Sequence, residues 1–143
     1  MRAALIALVL VAGPALASKR DWTGSAKCGS CHPAQLAAWQ RTPHANTRAR
    51  WGSSAPPKAC LACHGTGEAP AGVAIAVEVG CEACHGAGAG YAEDDIMRNR
   101  ALSMSLGMAD LPKARAQVCL GCHARRTSGK PFDAMAAVHT VQK

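Results

Sequence analysis

The chain has 143 residues, of which 49% are hydrophobic but only 3% aromatic, and its formal net charge at pH 7 is +7. A chain of this length forms one small domain, and so few large side chains exclude an ordinary globular core built from the polypeptide alone. The positive charge does not indicate nucleic-acid binding, because no nucleic-acid-binding motif accompanies it.

Residues 1–17 have the pattern of a secretory signal peptide. An apolar run follows a single arginine, and residues 15–17 (Ala-Leu-Ala) form a small-residue cleavage box. We expect cleavage before Ser18, which leaves residues 18–143 as a single soluble, periplasmic domain without a membrane span. An uncleaved membrane anchor is the alternative, although the apolar run is shorter than the roughly 20 residues that a spanning helix needs.

Four copies of the pattern Cys-x-x-Cys-His follow, and together they use every cysteine in the chain. This pattern attaches a c-type haem: two thiols form thioethers with the haem vinyl groups, and the next histidine binds the iron as proximal ligand. The paired cysteines are Cys28 and Cys31, Cys60 and Cys63, Cys81 and Cys84, and Cys119 and Cys122. The proximal histidines are His32, His64, His85 and His123. The sequence therefore predicts four covalently bound haems c, whose porphyrins would supply the apolar surface that the chain lacks.

Between and around the motifs, the sequence predicts helices joined by long loops. The predicted helices are Ala26–Gln40, a short turn at the second motif ended by Gly65, Tyr91–Leu106, Lys113–Cys122 and Pro131–Val141. Valine and isoleucine alternate between Gly72 and Val79, which allows at most one short strand or hairpin. The glycine-rich run Gly86–Gly90 is predicted to be a flexible exit from the third motif, and Trp39 to pack against a haem. The predicted fold class is mostly α with long loops and little or no β: a haem-dominated multihaem cytochrome c fold.

Two other uses of paired cysteines are the alternatives to haem attachment. The second and third copies also fit Cys-x-x-Cys-x-Gly-x-Gly, the zinc repeat of J-domain co-chaperones. The first and fourth copies lack those glycines, however, and all four copies place histidine next. Disulfides, which an even number of cysteines in an exported chain allows, do not require the four histidines. The pattern therefore favours haem.

Four haem irons with one proximal histidine each can take four further ligands on their distal sides. Two histidines lie outside the motifs, His44 and His139, and both are predicted distal ligands; a histidine with no role is the alternative for each. Softer ligands are available from Met97, Met104, Met108 and Met135, each of which could instead fill gaps against porphyrin. Met97 is the favoured methionine. By this count at least one iron lacks a protein sixth ligand and could bind a small molecule such as nitric oxide.

Five segments of the chain carry a family resemblance: Gly24 to His32, Trp39 to Ala45, Cys60 to Gly67, Val79 to Gly88 and Phe132 to His139. At these segments the chain resembles the cytochrome c-554 family of tetrahaem cytochromes. The resemblance implies a mostly helical fold with closely stacked haem pairs and an electron-transfer role in the periplasm.

The resemblance also implies a set of axial ligands. It pairs His44 with His123 and His139 with His85, and it leaves the haem of His64 five-coordinate.

The first haem is where the chain departs from that family. The family places a distal histidine shortly after the third motif, but the corresponding segment here is Asp94-Asp95-Ile96-Met97. Met97 is therefore the candidate ligand for the iron of His32, and a second open haem is the alternative.

Three functions fit these features. The favoured one is an electron carrier that exchanges electrons with other periplasmic or membrane-bound redox proteins. The second is a reductase of nitric oxide or a related species at an open haem, for which Lys58 and Glu68 are the nearby acid–base candidates. The third is a non-catalytic subunit of a larger electron conduit. The sequence gives no oligomeric state.

Overall fold

The computed structural model describes residues 21–67, 76–124 and 132–133. In these ranges the chain forms short helices joined by loops, and no strand. The α-helices are α1 (Ser25–Cys31), α2 (Pro33–Gln40), α3 (Lys58–His64), α4 (Cys81–His85), α5 (Asp94–Met97), α6 (Arg100–Ser105) and α7 (Leu111–His123). Two 3₁₀ helices, Thr47–Trp51 and Gly88–Gly90, complete the set for the described part. The predicted class, mostly α with long loops and little or no β, is confirmed.

The single helix predicted over Ala26–Gln40 is wrong, because the structure breaks it at His32. That residue lies between α1 and α2 with φ −120° and ψ 57°, outside the helical region. The cause is Pro33, whose ring disfavours a helical conformation in the residue before it. Proline is well suited to start α2, since the first helical N–H has no partner in any case. The break places His32 at a corner between the two helices.

The helix predicted over Tyr91–Leu106 is also divided, into α5 and α6. Asn99 separates them and caps α6, its side-chain oxygen accepting a hydrogen bond from the backbone N–H of Leu102 at 3.1 Å. An asparagine at this position stabilises the start of a new helix better than it continues an old one. The second motif lies on a short helix that ends at Gly65, as predicted.

Two other predicted elements lie partly outside the described residues. Of the tail helix Pro131–Val141, only Phe132 and Asp133 are described, and neither is helical. Of the alternating run Gly72–Val79, the described part begins at Ala76, which forms one isolated antiparallel bridge with Thr66.

The hydrophobic core within the described residues is small. It consists of Trp39, Ala87 and Tyr91, which are 7%, 9% and 6% exposed. Large apolar side chains on α6 and α7 remain open to solvent, among them Leu102 at 40% and Leu120 at 45%. The polypeptide thus encloses little apolar surface on its own, as its composition predicts. None of the described helices has both the length and the apolar character needed to cross a bilayer.

Candidate haem-binding site

Each pair of motif cysteines lies within one short helix. The pairs occupy α1, α3, α4 and α7, with two residues between the thiols in each case. Residues at i and i+3 lie on the same side of a helix, so both thiols of a pair face one way. In the last three motifs the proximal histidine is the final residue of the helix, and in the first it follows the helix directly. The local structure therefore presents two thiols and an imidazole together, as haem attachment requires.

The motif helices contact one another in the order one, three, four, two. Helix α1 packs on α4, α4 on α7, and α7 on α3. The Cys28 thiol interacts with the Cys81 thiol, a contact that raises the pKa of Cys28 and lowers the pKa of Cys81 to about 6. The backbone N–H of Ala109, just before α7, donates to the carbonyl of His85 at 2.9 Å. The third motif is therefore held between the first and the fourth.

Glu82, inside the third motif, joins it to the segment before α1. Its side chain is 2% exposed. One carboxylate oxygen accepts hydrogen bonds from the Thr23 backbone N–H at 2.9 Å, the Thr23 hydroxyl at 3.2 Å and the Gly88 N–H at 2.6 Å. The other accepts from the Gly24 N–H at 2.7 Å. A buried carboxylate needs this many donors, because it has lost its water.

The Gly86–Gly90 run is packed in the structure, so the prediction of a flexible exit is wrong. Gly88 is buried against Glu82, and a Cβ at Gly88 would lie 2.8 Å from a Glu82 carboxylate oxygen. Gly86 has φ 87°, and a side chain there would collide with the backbone carbonyl of Gly107. The glycines after this motif serve close packing and a left-handed turn.

Three further side chains fix the backbone on either side of α4. The indole N–H of Trp39 donates to the Val79 carbonyl at 2.9 Å. The Thr66 hydroxyl donates to the Glu78 carbonyl at 2.6 Å and accepts from the Gly80 N–H at 2.7 Å. After the motif, the Tyr91 hydroxyl donates to the carbonyls of His85 and Gly86 at 3.0 and 2.6 Å. Burial is the main reason that the pKa of Tyr91 rises to about 12.

A cavity of about 520 Å³ lies between the fourth motif and the loop after α2. Its wall includes both cysteines and the histidine of the fourth motif, with His44 from the loop. The wall also includes one cysteine each from the second and third motifs, Cys63 and Cys84, one arginine, Arg41, one aspartate, Asp133, and the apolar side chains of Trp22, Pro43, Val79, Val118 and Phe132. The volume lies within the range for ligand and cofactor pockets, roughly 300–1,000 Å³. A mostly apolar wall suits the porphyrin ring, and Arg41 is the cation on it that could pair with a propionate.

The rings of His44 and His123 lie on this cavity with their centroids 6.0 Å apart and their planes at 73°. A metal-bound imidazole nitrogen lies about 2 Å from the metal and the ring centre roughly 1 Å further, so two axial histidines have centroids about 6 Å apart. Burial, and then the nearby His123, lower the pKa of His44. A lowered pKa keeps the imidazole neutral, the form that binds iron. The residues at this cavity fit a haem with two histidine ligands.

The surroundings of His64 and His32 differ from those of His123. The ring of His64 meets the edge of Trp51 at 5.3 Å between centroids, and its backbone carbonyl accepts from the Thr47 hydroxyl at 3.1 Å. His32 is exposed at its corner. His139 lies outside the described residues.

Met97 is half-buried at the end of α5. Glu93, four residues earlier and so on the same face, forms an ion pair with Lys27 at 3.5 Å, directly before Cys28. Among the other candidate methionine ligands, Met104 is half-buried in α6 and Met108 lies just after that helix, whereas Met135 lies outside the described residues. Glu68, an acid–base candidate, also lies outside them. Lys58 is exposed at the start of α3.

Glu82 and Thr66 are the positioning residues that the sequence analysis missed. The sequence does contain a signal for Glu82: it is a charged residue between the two cysteines of the third motif, and the residues around it are small or apolar. Thr66 gave no signal, since its partners are 12 and 14 residues away along the chain.

The arrangement also bears on the alternatives to haem. None of the eight cysteines forms a disulfide. Across residues 21–67, 76–124 and 132–133, no three histidine, cysteine or acidic side chains converge as a metal ion would require. Three motifs instead present all three side chains along one helix, and in the first motif His32 directly follows the helix that holds its cysteines.

Comparisons with known proteins give one family match and one similar fold. Residues 27–86 match the family model described as cytochrome c554 and c-prime. The fold is similar to that of reduced cytochrome c554 from Nitrosomonas europaea, with a TM-score of 0.53 and 24% identity over 84% of this chain and 73% of that one. No curated protein matches the chain.

Proposed function

We propose, from the c554-type cytochrome family that the sequence match and the fold support, that this chain is a multihaem c-type electron carrier with four covalently bound haems. The family match supports the coarser statement, a c-type multihaem electron carrier. The count of four is supported by the four Cys-x-x-Cys-His motifs, whose cysteine pairs lie on four different helices. The observation that carries the proposal is the cavity where the rings of His44 and His123 lie 6.0 Å apart beside both cysteines of the fourth motif.

The proposed ligand set follows the resemblance and the geometry together. His123 and His44 hold the fourth haem, and their 6.0 Å separation supports this assignment. His85 and His139 hold the third haem, while the haem of His64 has no sixth protein ligand. We assign Met97 to the iron of His32, and the ion pair between Lys27 and Glu93 supports it by linking α5 to the first motif.

When bound, each haem supplies a one-electron iron couple, whose potential depends on axial ligands, burial and nearby charge. The chain's contribution is to hold the motifs close together. The packing order one, three, four, two supports a continuous row of sites, with Glu82 and Tyr91 fixing the third motif between its neighbours. Closely spaced sites let the protein accept electrons from one partner and deliver them to another.

The place of action follows from the signal peptide and is part of the proposal. Residues 18–143 would be exported as one domain to the periplasm, where c-type haem is attached. The partners would be other periplasmic or membrane-bound redox proteins.

Optical spectroscopy of the purified mature protein tests the proposal. A Soret band with c-type reduced bands, and a mass that corresponds to four attached haems, are the expected results. Carbon monoxide should shift only part of the Soret band, because the iron of His64 is open. A protein without a Soret band would refute haem attachment. A spectrum that carbon monoxide leaves unchanged would refute the open iron.

A further inference from the structure

The charged residues of this chain are separated by sign along the sequence. Residues 22–67 contain five lysines and arginines and no aspartate or glutamate. Residues 78–110 contain six acidic residues against two arginines. The first range carries motifs one and two, and the second carries motif three and the segment that leads to α7.

In the acidic range, the basic side chains are paired with carboxylates. Arg98 binds Asp94 at 2.8 Å, and Arg100 binds Asp110 at 2.7 Å. Lys113, at the start of α7, also reaches Asp110, at 3.5 Å. Arg98 and Arg100 each have a carboxylate beside them that largely cancels their charge, whereas Lys113 shares Asp110 with Arg100 and keeps part of its charge.

Three cations beside the second motif are arranged differently. Arg48 and Arg50 lie on the 3₁₀ helix Thr47–Trp51, and Lys58 begins α3. All three are exposed, and none of the ion pairs within the described ranges involves their side chains. We call these three side chains the basic face.

The basic face is directly attached to the second motif. Trp51, next to Arg50 in the same 3₁₀ helix, contacts the ring of His64. Thr47, at the other end of that helix, donates to the His64 carbonyl at 3.1 Å. Arg48 and Arg50 therefore lie on a helix that contacts His64, the histidine to which the proposed function assigns an open haem.

We infer that the basic face is the docking surface for an electron-transfer protein whose own surface is rich in carboxylates. The inference rests on the proposed electron-transfer function and adds the class of partner and the point of contact. Unpaired surface charges steer an oppositely charged partner over roughly a Debye length, about 8–10 Å at physiological salt. Such steering raises the association rate more than the affinity, and salt weakens it. The acidic range on the second part of the chain would repel the same partner and so orient it.

Stopped-flow kinetics with a chosen acidic probe tests the inference. Reduced flavodoxin, a strongly acidic one-electron donor, is mixed with the oxidised holoprotein between 10 and 300 mM NaCl. The variants are Arg48→Gln/Arg50→Gln and, as a control with the same change in net charge, Arg100→Gln/Lys113→Gln. We expect the first variant to lower the second-order rate constant about tenfold at low salt and to flatten its salt dependence. The control should change it by less than about twofold.

Other outcomes would overturn the inference. Equal losses in both variants would mean that net charge alone matters. A shifted haem potential with unchanged salt dependence would mean that the arginines pair with haem propionates. No change in either variant would place docking elsewhere. The proposed function has a separate readout: if dithionite does not reduce the holoprotein, electron transfer itself fails, whatever the variants do.

Discussion

The carboxylate of Glu82 binds Thr23 twice, through the backbone N–H at 2.9 Å and through the hydroxyl at 3.2 Å. These residues are 59 positions apart, one inside the third haem motif and the other just ahead of the first. The contact therefore connects two attachment sites through a buried charge, and its removal should lower the free energy of unfolding.

Replacing Glu82 by glutamine should destabilise the holoprotein by about 2–4 kcal/mol, because hydrogen bonds to a charged group contribute about 1.5–3 kcal/mol and donors would be left unsatisfied. Guanidinium denaturation followed by the Soret band measures the change. Glu93→Gln is the control: Glu93 is 66% exposed and pairs only with Lys27, and such a surface pair contributes about 0–1 kcal/mol. Equal losses for both variants would contradict the role given to Glu82.

Replacing His44 by alanine should open the iron of His123. The expected result is a new high-spin signal and a carbon monoxide response larger by about one haem equivalent. Asn46→Ala is the control, because Asn46 is exposed on the same loop and bonds the Thr42 carbonyl at 3.2 Å without carrying an imidazole. If the spin state of His44→Ala matches that of the control, His44 is not a ligand.

Replacing His139 by alanine should open a different iron, that of His85, so its effect on the carbon monoxide response should add to that of His44→Ala.

Replacing Met97 by leucine should open the iron of His32 and should leave the ligation of the irons of His85 and His123 unchanged. Magnetic circular dichroism in the near infrared separates methionine from histidine ligation. A wild-type spectrum without a methionine signal would remove Met97 from the ligand set.

Trp39 offers a test of hydrogen bonding separated from packing. Trp39→Phe keeps an aromatic ring but loses the bond to Val79, and should cost about 1 kcal/mol. Trp39→Ala also removes a buried ring and should cost about 3–5 kcal/mol. Thermal or chemical unfolding gives both values. Similar losses for the two variants would assign the role of Trp39 to the N–H alone.

Tyr91 is the only tyrosine in the chain, so its titration can be followed directly. Burial raises its pKa to about 12 from an unfolded value of 10.0. Because the folded pKa is the higher one, the stabilisation is fully present below pH 10 and decreases as the pH rises towards 12. Ultraviolet difference spectra between wild type and Tyr91→Phe isolate this band from haem absorption. A midpoint near 10 would show that the hydroxyl is not buried.

The attachment residues and the helical class could be predicted from the sequence, because both depend on short patterns. A Cys-x-x-Cys-His pattern specifies its chemistry within five residues, and Gly65 marks a helix end by itself. Even the break at His32 had a local cause in Pro33, which the apolar spacing of Leu36 and Trp39 concealed.

The contacts that hold the motifs together could not be predicted in this way. Glu82 and Thr66 act through partners that are distant in sequence, and nothing in their immediate neighbours identifies those partners. The glycines of the Gly86–Gly90 run suggested freedom, whereas Gly88 is a contact surface for Glu82. The absence of a side chain can serve flexibility or close packing, and only the fold distinguishes these cases.

The bridge between Thr66 and Ala76 has a practical consequence for engineering. It holds Thr66 beside Ala76, between the second and third motifs, while Thr66 separately fixes the backbone at Gly80. Lengthening a closed loop costs little, about 0.6 kcal/mol for each doubling. A peptide inserted there, such as a surface-binding tag, should leave the attachment helices in place and would give the carrier an anchor point for immobilisation on an electrode.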